Sequence, residues 1–232
     1  MLRPIIVALD FPTFDEAKVC VDNLKSEIDI FKVGLELFLN TKGEIVEYIH
    51  SKGREVFLDL KFHDIPNTTE QAAKFAISQN VFLYNIHASG GMEMMKRVAK
   101  VSRESEKSRV IGVTILTSLE NSDMHEGFLT DATVGDVATK LAKNACDSGL
   151  HGVVCSPHEA ASIKAVCGKE FLTVCPGIRL ESGDLQDQKR VATPRWAVKN
   201  GVDFMVIGRP ITKAENPLEV IKNIYKEIGY GK

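Results

Sequence analysis

Eight short runs of Val, Ile, Leu and Phe, separated by amphipathic stretches of about 12 to 18 residues, constrain the fold of this chain more than any other feature. The runs predict strands over Ile5–Asp10, Ile30–Gly34, Val56–Lys61, Phe82–Ala88, Val110–Leu116, Gly152–Ser156, Leu172–Pro176 and Phe204–Gly208. The stretches between and after them predict helices over Thr13–Ser26, Lys42–Ser51, Thr68–Ser78, Gly91–Ser105, Val134–Ser148, Pro157–Cys167, Pro194–Asn200 and Pro217–Ile228. Helix starts carry capping signals, such as Thr13 followed by Glu16 and the pair Asn216-Pro217. Several stops are glycine: Gly53, Gly149, Gly168 and Gly201. The runs are apolar on both faces, as in parallel strands covered by helices. Eight βα units in 232 residues leave about 29 residues per unit, which favours an α/β fold of one closed (β/α)8 TIM barrel over an open doubly wound sheet. No linker or low-complexity segment divides the chain, so residues 1–232 read as one barrel domain.

Composition excludes several functions. The net charge is −2 and aromatics make up 7%, so neither a broad basic footprint nor a stacking platform for nucleic acid is present. No apolar run approaches the roughly 18 residues of a membrane span. The apolar start Met1–Phe11 is broken by Asp10 and lacks the features of a signal peptide, so a cytoplasmic location is expected. Cys20, Cys146, Cys155, Cys167 and Cys175 form no Cys-x-x-Cys pair and read as reduced thiols.

In a barrel of this kind, reacting groups sit at the C-terminal ends of the strands. Polar residues collect there: Asp10, Lys32, Asp59, Lys61, His87, Thr114, Thr117 and Arg209. The densest stretch is Asp59-Leu60-Lys61-Phe62-His63-Asp64-Ile65-Pro66-Asn67-Thr68. Strand alternation puts Asp59 and Lys61 on one face, with Leu58 and Leu60 on the other. Asp10 and Lys32 can point at the same space from neighbouring strands. One Asp–Lys pair could be a structural ion pair. Five charges at three strand ends favour chemistry, in which carboxylates press on an anionic group and Lys stabilises a developing carbanion and donates a proton. Val206-Ile207-Gly208-Arg209-Pro210 places a glycine and a guanidinium where such barrels often hold phosphate. The polar stretch from Pro176-Gly177-Ile178-Arg179 to Thr193, with Gln188 and Arg190, has the length of a binding lid.

Together these residues resemble the orotidine 5′-phosphate decarboxylases. The resemblance runs through Val7-Ala8-Leu9-Asp10, Lys32-Val33-Gly34, the Asp59–Thr68 motif and His87-Ala88-Ser89-Gly90-Gly91. It continues through Val113–Ser118, Pro176–Arg179, Asp187-Gln188 and Ile207–Thr212, and the length fits the short monofunctional bacterial form. It implies decarboxylation of orotidine 5′-phosphate to UMP and CO2, without cofactor or metal. Carried over, Lys61 is the acid that protonates C6, Asp59 lies beside the substrate carboxylate, and Lys32 and Asp64 complete an alternating charge network. The resemblance further implies a homodimer in which Asp64 and Thr68 reach the neighbouring subunit's site. Asp10 and Lys32 would hold ribose hydroxyls and Thr117 would contact substrate. Arg179, Gln188, Gly208 and Arg209 would bind phosphate and close the lid. Leu180 departs from the Pro of many relatives, which bears on lid rigidity. Asn85-Ile86 reads as a local variation away from the charged cluster.

Two rival functions are kept. Related magnesium-dependent sugar-phosphate decarboxylase or aldolase barrels share Asp-x-Lys-x-x-Asp, but the Ile65–Thr68 continuation and Gln188 favour the nucleotide. A non-catalytic nucleotide-binding barrel would gain little from two carboxylates beside an anion. His63 and His87 read as packing residues, and His125-Glu126 and His158-Glu159 lack a second His at metal-ligand spacing.

Overall fold

All eight apolar runs are strands in the computed structural model, which describes residues 2–180 and 192–230. They are β1 (Ile5–Ala8), β2 (Ile30–Gly34), β3 (Glu55–Phe62), β4 (Leu83–His87), β5 (Arg109–Val113), β6 (Gly152–Val154), β7 (Leu172–Cys175) and β8 (Phe204–Ile207). Each is parallel to the next, and β8 pairs with β1 through Ile5–Met205, Ile6–Val206 and Val7–Ile207, closing the barrel. The described helices are α1 (Phe14–Leu24), α2 (Leu35–Asn40), α3 (Glu44–Ser51), α4 (Pro66–Ser78), α5 (Met92–Ser102), α6 (Asn121–Phe128), α7 (Val134–Asp147), α8 (Ala160–Cys167), α9 (Pro194–Lys199), α10 (Arg209–Thr212) and α11 (Pro217–Ile228).

Period-two alternation sorts the strand residues into two cores. Ile6, Ala8, Ile30, Phe57, Leu83, Ile111, Val174 and Val206 point inward and form a closed apolar floor. The intervening Ile5, Val7, Phe31, Val33, Val56, Leu58, Tyr84 and Ile86 point outward. They pack on helix residues such as Val21, Leu24, Ile45, Ile49, Met95 and Ile221. Each of the larger buried side chains contributes about 1.5–3 kcal/mol by leaving water.

The expected boundaries need correction at several strand ends. β1 stops at Ala8 and β5 at Val113, so Asp10, Thr114 and Thr117 lie in the turns that follow. At β5 the last pair is Val113–Val154; the Thr114 N–H and hydroxyl both donate to the Val154 carbonyl, at 3.2 and 3.1 Å, as the chain leaves the ladder. Helix α4 starts two residues earlier than expected, because Pro66 takes the first helical position, where its missing N–H costs nothing. The short helices α2, α6 and α10 were not expected. Gly149 does close the turn after α7, at φ +85°, and a Cβ there would overlap the Arg103 guanidinium. The five cysteines are free, and Cys155 and Cys175 lie fully buried with sulfurs 3.5 Å apart.

Candidate active site

Above the apolar floor, the same inward alternation delivers polar groups. Ile30 is followed on its face by Lys32, Phe57 by Asp59, Leu83 by Asn85, and Ala8 by Asp10. The Lys32 ammonium lies 3.0 Å from Asp10 Oδ1 and 3.4 Å from Asp59 Oδ2. The Lys61 ammonium lies 2.7 Å from Asp59 Oδ1. Charges therefore alternate from Asp10 through Lys32 and Asp59 to Lys61. Burial pushes the Asp59 carboxyl up, but the two ammonium groups and the hydrogen bonds from Lys61 and Asn85 outweigh it and hold it below the usual carboxylate range. Asp59 and Lys32 are nearly enclosed, whereas the Lys61 side chain is 38% exposed. The Lys61 ammonium can thus meet a ligand at the mouth while its counter-ion stays fixed beneath it.

The position of Lys61 is not that of a regular strand residue. Its φ is +51°, a left-handed value that is uncommon away from glycine. Between the pairs Leu58–Tyr84 and Phe62–Ile86, β3 advances four residues while β4 advances two. Asp59, Leu60 and Lys61 thus bulge opposite one residue, Asn85. The Asn85 side chain fills the gap: its Nδ2 donates to Asp59 Oδ1 and its Oδ1 accepts from the Lys61 N–H, both at 2.7 Å. The reading of Asn85 as remote from the cluster is therefore wrong. The signal was available, because Leu83, Asn85 and His87 share the inward face of β4 by the alternation already applied to Asp59 and Lys61.

A cavity of about 210 Å³ opens on this cluster, lined by Leu9, Asp10, Lys32, Gly34, Leu35, Glu36, Leu37, Asp59 and Lys61. Gly34 keeps room for the ammonium, since a Cβ there would stand 3.2 Å from Lys32 Nζ. Gly208 packs against the Asp10 carboxylate, where a Cβ would lie 3.4 Å from Oδ2. His87 stacks on His63 at 5.1 Å, and burial together with His63 and Lys61 lowers its pKa. A larger cavity of about 440 Å³ between α1 and the start of α11 is mostly apolar and lies apart from these charges.

The remaining expected residues that the structure describes follow the C-terminal ends of β3, β5, β7 and β8. Asp64 and Thr68 are exposed. Asp64 Oδ1 accepts from the Ile65 N–H at 2.7 Å, and the Thr69 hydroxyl ties down the Asp64 carbonyl at 3.0 Å. Thr117 is exposed in the turn after β5. Arg179 follows β7 and donates its backbone N–H to the Ala192 carbonyl at 3.1 Å. Gly208 caps α10 and Arg209 is its first, exposed residue. Gln188 falls outside the described residues. Among the described residues, no group of three or more His, Cys, Asp or Glu side chains is disposed to hold a metal ion. None of their helices is long and apolar enough to cross a membrane.

The chain is similar over nearly its whole length to known proteins. A curated orotidine 5′-phosphate decarboxylase from Bacillus cereus (strain G9842) is 43% identical over 232 residues, covering 98% of each chain. The crystal structure of an orotidine 5′-phosphate decarboxylase from Lactobacillus acidophilus superposes with a TM-score of 0.86 at 33% identity, over 97% of this chain and 99% of that one. An uncharacterized conserved protein from Geobacillus kaustophilus superposes with a TM-score of 0.84 at 36% identity, over 97% and 100%. The profile of the orotidine 5′-phosphate decarboxylase / HUMPS family matches residues 3–224, and the chain belongs to that family.

Proposed function

We propose that this chain decarboxylates orotidine 5′-phosphate to UMP and CO2, the last step of de novo pyrimidine synthesis, with Lys61 as the acid. The observation that carries the reading is the Asp59 carboxylate held between two ammonium groups, with Lys61 Nζ at the cavity mouth. Loss of CO2 breaks the bond from C6 to the carboxylate and leaves its electron pair at C6. The ring cannot delocalise that pair well. An ammonium already fixed beside C6 stabilises it at no reorganisation cost and then transfers a proton to it. The Lys61 amine regains a proton from solvent. Asp59 has two roles. It orients Lys61, and it faces the substrate carboxylate with like charge, which is relieved as CO2 departs. Asp10 and Lys32 are placed to hold ribose hydroxyls. Arg179, Gln188, Gly208 and Arg209 are assigned to the phosphate, whose binding supplies energy remote from the reacting carbon.

We infer a homodimer as the working form. Asp64 and Thr68 are exposed, as are the apolar Ile65 and Phe75 of the same segment and Leu35 and Leu39 of α2. The Phe38–Phe75 edge contact at 6.0 Å joins α2 to α4 on this side. An apolar margin beside two polar residues is what a second copy would cover while Asp64 and Thr68 enter its site. The phosphorylated substrate does not cross membranes, which suits a cytoplasmic enzyme.

The test is loss of orotidine 5′-phosphate absorbance with pure protein in excess EDTA. Turnover under those conditions, abolished in Lys61→Ala while UMP still raises the melting temperature, supports the reading. Activity that appears only with added magnesium on a sugar phosphate would support the other branch of the family instead.

A further inference from the structure

We propose that Asn85 is the positioning residue of this site, one amide that holds the Asp59 carboxylate and the Lys61 backbone in their working relation. This rests on the reading of Lys61 as the acid. Asn85 is fully buried, and each end of its amide is committed within the cluster. The orientation is not ambiguous. A carboxylate can only accept and a backbone N–H can only donate, so Nδ2 must face Asp59 and Oδ1 must face Lys61.

Two features of the site need such a clamp. First, a non-glycine residue at φ +51° is strained and persists only where its surroundings over-determine it. By the alternation that sends the Glu55 N–H to Asp29 beside β2, an unbulged Lys61 N–H would point past the end of β2; in the bulge it meets Asn85 Oδ1 on β4 instead, at 2.7 Å. Secondly, the χ2 torsion of an aspartate is broad, so a carboxylate plane is fixed only by its partners. Asp59 Oδ1 receives Lys61 Nζ and Asn85 Nδ2, each at 2.7 Å, while Oδ2 faces Lys32 at 3.4 Å. Without Asn85, both sets of remaining bonds can turn together. The other charged or titratable groups facing Asp59 are Lys32 on β2, Lys61 on β3 and His87 on β4, with Asp10 behind Lys32. Lys32 and Lys61 side chains can only donate and the Asp10 carboxylate can only accept, while the His87 ring packs on His63.

Asn85→Leu keeps the branching and the number of heavy atoms and removes both bonds. Asn85→Asp keeps the acceptor for Lys61 but sets a second carboxylate against Asp59. In folded Asn85→Leu, kcat should fall about ten- to a hundredfold, the loss expected for a hydrogen bond to a charged group, with KM changed less than about threefold. Asn85→Asp should show an acid limb in its kcat/KM profile at least about one pH unit above that of the wild type, because adjacent like charges raise a carboxyl pKa. Amide exchange of Lys61 in 15N-lysine-labelled protein reads the clamp without turnover. The amide should be protected in the wild type and in Asn85→Asp, and exposed in Asn85→Leu. A fully active Asn85→Leu, or a Lys61 amide that exchanges freely in the wild type, would overturn the proposal. If the wild type fails to turn over orotidine 5′-phosphate, the functional reading falls, and the exchange measurement still decides the clamp. If Asn85→Leu does not fold, the Asn85→Asp profile and the wild-type exchange rate carry the decision.

Discussion

Replacing Lys32 by Met separates what the charge network contributes to stability from what it contributes to chemistry. Met fills the same slot with an unbranched apolar chain, so the main loss is the ammonium. Asp59 then loses its Oδ2 partner while its side chain is only 13% exposed, but keeps Lys61 and Asn85 on Oδ1. Removing one member of a buried ion pair costs about 3–5 kcal/mol when the other is left uncompensated, and less here because Lys61 and Asn85 stay on Asp59. Relief of the Lys32 desolvation offsets part of this, and the Asp10 pair adds little because Asp10 is largely exposed. A net destabilisation of about 2 kcal/mol follows, or about 4–8 °C in Tm for a chain of this size. The pH dependence fixes the cause. Asp59 has a lowered pKa in the folded wild type, so its contribution is present above the unfolded carboxyl value and is lost as pH falls through the folded one. In Lys32→Met, burial dominates and the folded pKa rises. The gap between the two proteins should be full at pH 7 and narrow towards pH 4, as the variant's Asp59 takes up a proton. Calorimetric or fluorescence melts at both pH values measure this. A gap that is the same at both, or a variant as stable as the wild type at pH 7, would refute the argument that Lys32 offsets the burial of Asp59.

At position 61, glycine should be tolerated better than alanine despite the usual order. Both lose the ion pair, but only Ala keeps the left-handed strain, so Lys61→Gly should melt about 2–4 °C above Lys61→Ala. Burial raises the Glu159 carboxyl to about 7, which makes its ionisation destabilising. Stability from this group is complete below the unfolded value and is lost as pH rises through about 7. Glu159→Gln, which can still accept from the Ser156 N–H, should gain about 1–2 kcal/mol over the wild type at pH 8 and nothing at pH 4, read by urea unfolding. Mixed and refolded, inactive Lys61→Ala and Asp64→Ala subunits should regain about a quarter of wild-type turnover, since a mixed dimer of the proposed kind carries one intact site. A mixture that stays silent would place Asp64 in its own subunit's site.

The barrel was legible because buried parallel strands are continuous apolar runs, and eight of them leave few other arrangements. Their ends were less so. Val113-Thr114-Ile115-Leu116 reads as one strand, yet its pairing with β6 ends at Val113–Val154, because β6 itself stops there. Helix α2 was missed because it follows β2 with only Gly34 as its cap, leaving no turn signal between strand and helix. The charged residues could be found by parity, but the left-handed turn at Lys61 could not. Asp59-Leu60-Lys61 holds no glycine, and the conformation is imposed from β4. Asn85 was passed over because a neutral amide among Val, Leu and Ile looks like a variation in packing. Its importance lies in two hydrogen bonds that exist only once the strands are paired.

Closure of the barrel also sets when the site can exist during synthesis. β1 is finished by strand β8 nearly 200 residues later, through Ile5–Met205 and the Met205 N–H to Pro4 carbonyl bond at 2.8 Å. Asp10, from the first turn, meets Gly208, from the last. The loop entropy of joining such distant segments grows only logarithmically, so the stability cost is modest. The delay is the greater burden. Until the ribosome releases Phe204–Ile207, β1 and the newest strand both present unpaired parallel edges, the condition in which nascent chains associate wrongly. Variants that slow the emergence or docking of β8 should therefore reduce yield of soluble enzyme before they alter any property of the folded molecule.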